Sequence, residues 1–193
     1  MALPIPGRVA RSLASRLGPV EAAHPDVRWL SRDQLHVTLA FIGAMPADLL
    51  EPLERALAQA AWPIEPFRVG LGSAGRFGGR GRQDVAWIGL DEGRAACIDL
   101  ADRVLAACRA AGVLSAAKEG VADAPLRPHL TIARRAGPGI PAAIEAALGP
   151  RSLGWSADEL VLYRSHLGSP AVRYETLLRL PLGPDLPQTG GAS

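Results

Sequence analysis

Lysine is nearly missing from this chain: Lys118 is the only one, and arginine supplies the other basic residues. Arginine's planar fork suits phosphate, but an Ala/Gly/Pro/Arg-rich chain is also what a biased coding composition produces. The formal net charge of +2 is too small to mark a nucleic-acid binder by itself. Cysteine is confined to Cys97 and Cys108. Both fall in one predicted helix, about 16 Å apart along its axis, too far for a disulfide. Two unpaired thiols suit a reducing compartment, so a cytoplasmic location is expected. No apolar run reaches the roughly 18 residues of a spanning helix, and the N-terminus lacks a signal-peptide core, so no membrane is expected.

What is present describes an ordinary soluble protein. Its 193 residues, 48% hydrophobic and 21% charged, fit one domain or two small, intimately packed lobes. Val9, Leu13 and Leu17 mark a helix over 6–17. A short strand is expected over 27–30 and a longer one over 34–42, where Phe41 alternates with His36 and so reads as core. Pro46 opens a helix carrying Leu49, Leu50, Leu53 and Leu57. A strand over 67–71 leads into a glycine-rich loop reaching Gln83. A strand over 85–90 precedes a helix from Arg94 to Ala111, closed by Gly112.

The second half repeats the order. A strand is expected over 126–133 and a helix over 140–148, ended by Gly149 and Pro150. Strands over 159–163 and 172–180 pair through a turn at 168–170. The segment 183–193 reads as a disordered tail behind a single domain over 1–182. Strands and helices intermix without a regular βαβα rhythm, so the class is α+β with antiparallel sheets.

Each half contains one strand bearing His-x-Thr. Residues i and i+2 share a sheet face, so His36 stands beside Thr38 and His129 beside Thr131. A single such pair is usually incidental. Two of the chain's four histidines, however, share the context apolar–His–apolar–Thr–apolar at corresponding places in the two halves. Folding the halves face to face would oppose two imidazoles across a cleft. One can act as base while the other acts as acid, and threonine hydroxyls can hold an oxyanion between them. That set fits in-line phosphoryl chemistry.

The sequences HVTL at 36–39 and HLTI at 129–132 resemble the two H-x-T-x motifs of the 2H phosphoesterase superfamily. The likeness is strongest to the RNA 2′,3′-cyclic 3′-phosphodiesterases, once called 2′-5′ RNA ligases. It extends through LHVTLAFIG, DVAWIGL, RPHLTIARR and ELVLYRSHLG…RYETL. The resemblance implies two pseudo-symmetric antiparallel-sheet lobes with helices outside and a central cleft. It also implies hydrolysis of a terminal cyclic phosphate on RNA 3′ ends to a 2′-phosphomonoester, by a monomer without metal or cofactor. By the same resemblance, His36 donates a proton to the leaving 3′ oxygen and His129 activates water. Thr38, Thr131 and Arg134 would contact the phosphate or ribose. Family members begin with a hydrophobic strand ahead of the segment matching 2–6. Here that strand is expected to be almost absent, leaving unpaired backbone edges and reduced stability.

Other signals point elsewhere. Gly70-Leu-Gly-Ser-Ala-Gly75 spells G-x-G-x-x-G, but the dinucleotide reading requires a helix directly after the glycines. Residues 76–83 show no apolar stripe. Arg76, Arg80 and Arg82 belong either to a solvated loop or to an RNA contact. His24 reads as surface, and His166 has no support for a role near the cleft. Trp87 and Trp155 read as packing residues. A zinc site is not expected, since the two histidines lack a matching cluster of carboxylates or cysteines. Two alternatives to the cyclic phosphodiesterase remain. One is a relative acting on another cyclic or 2′,5′-linked nucleotide, or ligating RNA ends. The other is a binding module without turnover.

Overall fold

The computed structural model describes residues 1–78, 84–114, 126–150, 153–166, 168 and 172–184. Arg80, Arg82 and Lys118, most of the expected turn at 168–170, and tail residues 185–193 lie outside them. The described strands are β1 (Ala2–Pro4), β2 (Arg28–Trp29), β3 (His36–Thr38), β4 (Phe67–Phe77), β5 (Val85–Glu92), β6 (His129–Arg134), β7 (Gly154–Ala157), β8 (Glu159–His166) and β9 (Arg173–Pro181). The helices are α1 (Gly7–Ala23), α2 (Leu50–Ala61), α3 (Arg94–Ala110) and α4 (Ile140–Leu148).

The strands form one antiparallel sheet in the order β7-β4-β5-β6-β3-β1-β8-β9, with β2 added beside β6. Outward from the seam between β6 and β3, the order on one side mirrors that on the other. β5 and β1 come next, then β4 and β8, then β7 and β9. The helices obey the same pseudo-twofold relation, α1 packing on α4 and α2 on α3. The expected α+β class with two antiparallel-sheet lobes is thus the observed one.

The apolar faces explain the elements. α1 buries Val9, Ala10, Leu13 and Leu17. It continues past Gly18–Pro19, a turn signal overridden here by tertiary packing against α4. Arg16 Nη1 donates to the Leu148 carbonyl at the end of α4 (2.5 Å), where a cation complements the helix dipole. α2 buries Leu53, Leu57 and Ala61. α3 buries Cys97, Leu100, Ala101, Val104, Ala107 and Cys108. Both cysteines are free, and burial pushes their thiols up to about 12 and about 11. Among the described residues, no helix is long and apolar enough to cross a membrane.

Several expectations change. The first strand is short but present, and central. Ala2 pairs with Thr38 on one side and with Val161 on the other, and Leu3 is fully buried. β1 therefore lies between two strands, pairing over three residues with β3 and at Ala2 with β8. β3 ends at Thr38, so alternation does not extend to Phe41, which is 81% exposed rather than core. The strand expected over 67–71 runs on to Phe77 through the glycines, because β5 pairs along its length. Gly72 lies at a register shift in that pairing. A Cβ there would lie 1.9 Å from Asp91 Oδ1 on β5. The glycines lead on into strand rather than into a helix, which removes the dinucleotide reading.

Candidate active site

β3 and β6 meet at one Cα pair, Val37 with Leu130. Both side chains are fully buried and anchor the seam to the core. The antiparallel register then sets His36 opposite Thr131 and Thr38 opposite His129. All four alternate with the buried pair and so share the other face. Directly opposed residues have Cβ atoms about 4.5–5.5 Å apart, and diagonal neighbours about 7–8 Å apart. The histidines occupy one diagonal of this quartet and the threonines the other. The two halves therefore bring the motifs together side by side at the seam of one sheet, not face to face.

A β-bulge completes the set. β5 pairs Ala86 with Ala133 but Trp87 with Thr131, so Ile132 is an extra residue in β6. Strict alternation would turn Arg134 away from His129. The extra residue reverses the phase, and Arg134 lies opposite Val85 on the histidine face. Its charge acts on His36, although less strongly than burial does.

Each imidazole is held by aromatic rings from its own lobe. His36 packs against Tyr163 and, edge to face, Tyr174, with centroids 5.6 and 4.8 Å away. A second bulge assists here. Leu162 pairs with Leu178 and Tyr163 with Thr176, so the extra Leu177 brings Tyr174 into phase with Tyr163. His129 packs edge to face on Phe77 (4.9 Å) and beside Trp87 (6.1 Å). None of these four rings was singled out from the sequence as a site residue. A signal existed for two of them, since the chain has two tyrosines and both touch His36.

The shells dominate the electrostatics. Burial lowers the His36 pKa to about 4, against a backbone hydrogen bond with Gln34; the N-terminus, His129 and Arg134 lower it further. Burial also lowers the pKa of His129, against the pull of the Arg127 carbonyl. His129 Nδ1 lies 2.7 Å from that carbonyl oxygen. A carbonyl can only accept, so Nδ1 carries the proton and Nε2 keeps its lone pair for chemistry.

The remaining candidates lie in other roles. The His24 carbonyl accepts from Trp29 Nε1 at the end of α1 (3.1 Å). His166 is exposed and bonded to Glu175 at 2.7 Å. Trp155 is core, and Arg76 pairs with Asp84 at 3.0 Å. Among the described residues, no group of three or more His, Cys, Asp or Glu could hold a metal ion.

Comparison with known proteins identifies the family and the fold. The family model described as the 2′-5′ RNA ligase superfamily matches residues 9–169. The RNA 2′,3′-cyclic phosphodiesterase of Geobacillus stearothermophilus is 31% identical over 184 residues, covering 94% of this chain and 56% of that protein. The chain thus spans little more than half the length of that relative. The protein of the same name from Bacillus subtilis (strain 168) is 28% identical, covering 93% of each chain. A crystal structure of a Thermus thermophilus protein superposes with a TM-score of 0.76 at 25% identity, covering 96% of this chain and 97% of that one. With its fold, its paired motifs and the family match in agreement, the chain belongs to the 2′-5′ RNA ligase superfamily, the group of 2H phosphoesterases.

Proposed function

We propose that the protein is an RNA 2′,3′-cyclic phosphodiesterase that opens a terminal cyclic phosphate to a 2′-phosphomonoester. The observation that carries this reading is the quartet of His36, Thr38, His129 and Thr131 on one face of the β3–β6 seam. Relatives bearing that enzyme name support it. His129 Nε2 takes a proton from water, and the water oxygen attacks phosphorus opposite the 3′ oxygen. The bond from phosphorus to that oxygen breaks as protonated His36 delivers its proton there. His129 leaves the step protonated and His36 neutral, and exchange with solvent resets both. The Thr38 and Thr131 hydroxyls donate to the non-bridging oxygens, and Arg134 offsets their charge. A diagonal of about 7–8 Å between the histidines leaves room for phosphorus and its two apical oxygens.

The catalytic unit is a single domain over 1–182, because α1 of the first half packs on α4 of the second. It acts as a monomer, since one chain supplies every residue invoked. Its two protonated, buried thiols suit the cytoplasm. No step calls on a metal or cofactor. The test is product mapping on an RNA ending in 2′,3′-cyclic phosphate, with EDTA present. A 2′-monophosphate is expected. A 3′-phosphate would reverse the histidine roles, and no hydrolysis, or loss on chelation, would overturn the mechanism.

A further inference from the structure

One glycine of the G-x-G-x-x-G run, Gly75, lies beside the motif histidines. Gly75 pairs with Trp87 across β4 and β5, and Trp87 pairs with Thr131 across β5 and β6. All three positions share the face that carries His129. The Trp87 indole leans over the bare Gly75 backbone, where a Cβ would fall 2.3 Å from Trp87 Cζ2 and 2.4 Å from Cη2. Phe77 also packs against the indole, at a centroid distance of 5.0 Å. Phe77 and Trp87 in turn both contact the His129 ring.

The Trp87 indole N–H is buried with no hydrogen-bond partner among the described residues. Packing, not a polar contact, therefore fixes this ring. A buried donor left unsatisfied is unfavourable, and such groups concentrate where an arrangement serves function.

We propose that Gly75, Phe77 and Trp87 form a positioning device for the general base, in which the missing side chain at Gly75 lets the indole press against His129. The device keeps water off one flank of the imidazole while the Arg127 carbonyl holds Nδ1, so that Nε2 is aimed at the reacting water. Lowering of the His129 pKa by burial agrees with this. Among the described residues, His36 lies across the seam from His129 and Arg134 lies on its own strand. Arg76, on the opposite face of β4, is paired with Asp84. Among the described residues, no carboxylate touches the ring to oppose the effect of burial.

The inference rests on His129 acting as the base, and its test separates the two. Ring proton signals of His129 are titrated by NMR in the free protein, wild type and Trp87→Leu, alongside the pH profile of kcat/KM. Loss of the indole hydrates His129, so its midpoint should rise towards 6.5. The limb of the kcat/KM profile that reports His129 should move up with it. Turnover should fall by up to about 10²-fold through misplacement of the base, with KM little changed. Trp87→Phe should recover most of both. Gly75→Ala should reproduce the shift with the indole still present; if that variant does not fold, Trp87→Leu carries the test alone. An unmoved His129 midpoint in folded Trp87→Leu overturns the positioning device while leaving the catalytic reading intact. Wild-type turnover in His129→Ala overturns the catalytic reading even where the titration shift is seen.

Discussion

Tyr174 meets His36 edge to face at 4.8 Å, and Tyr163 closes another side of the same ring. Behind this shield the His36 pKa lies at about 4, so the free site holds a neutral imidazole at pH 7. The proposed acid must be protonated when substrate is bound. A bound phosphate monoanion favours the imidazolium and raises its pKa. The alkaline limb of the kcat profile should therefore lie at higher pH than that of kcat/KM. Parallel pH profiles of the two constants check this. Coincident limbs would mean that substrate does not raise the acid's pKa.

The same shift links to stability. The unfolded chain takes up the proton on His36 near its ordinary pKa of about 6.5, before the folded protein does at about 4. Stability is thus fully present above that range and lost as pH falls through it. His36→Gln should lose less stability than wild type between pH 7 and pH 4.5, read from denaturant midpoints. Equal losses would show that the shielding has no energetic consequence.

Arg134 reaches the histidine face through the Ile132 bulge. A hydrogen bond to a charged group contributes about 1.5–3 kcal/mol, so Arg134→Ala should lower kcat/KM by about 10- to 100-fold. Arg134→Lys should recover part of the loss, since it keeps the charge without the fork. Steady-state kinetics decide it, and an unchanged kcat/KM would exclude a phosphate contact.

Leu3 tests the short central strand. It is fully buried between β3 and β8, so Leu3→Ala should cost about 2–5 kcal/mol. Urea denaturation measures this. A change under about 0.5 kcal/mol, typical of a surface site, would mean that β1 contributes little.

What could be read from the sequence followed from local periodicity. Period-two alternation placed His36 with Thr38 and His129 with Thr131, and the helical stripes placed α2, α3 and α4 close to their observed ranges. The misses are positions where tertiary pairing overrides a local rule. Bulges at Ile132 and Leu177 set the faces of Arg134 and Tyr174, and neither can be seen without the partner strand. β4 runs through three glycines because β5 side chains lie over them, although glycine alone signals a loop. β7 was missed because Gly154–Ala157 is too short to show alternation and takes its pairing from β4. Phe41 failed for the opposite reason, as the strand stopped before the alternation reached it.

The central claim is that His36 and His129 serve a single displacement, and single-turnover kinetics of His36→Ala, His129→Ala and the double variant test it most directly. General acid and general base catalysis each contribute about 10²–10⁴-fold. Each single variant should fall by about that factor with circular dichroism unchanged. The double variant should fall by less than the product, because removing either group already disables much of the step. Thr38→Ala and Thr131→Ala should cost on the order of 10-fold each, the loss of a neutral hydrogen bond. His24 and His166 variants should stay near wild type. Near-wild-type turnover in a folded His36→Ala or His129→Ala protein would contradict the account.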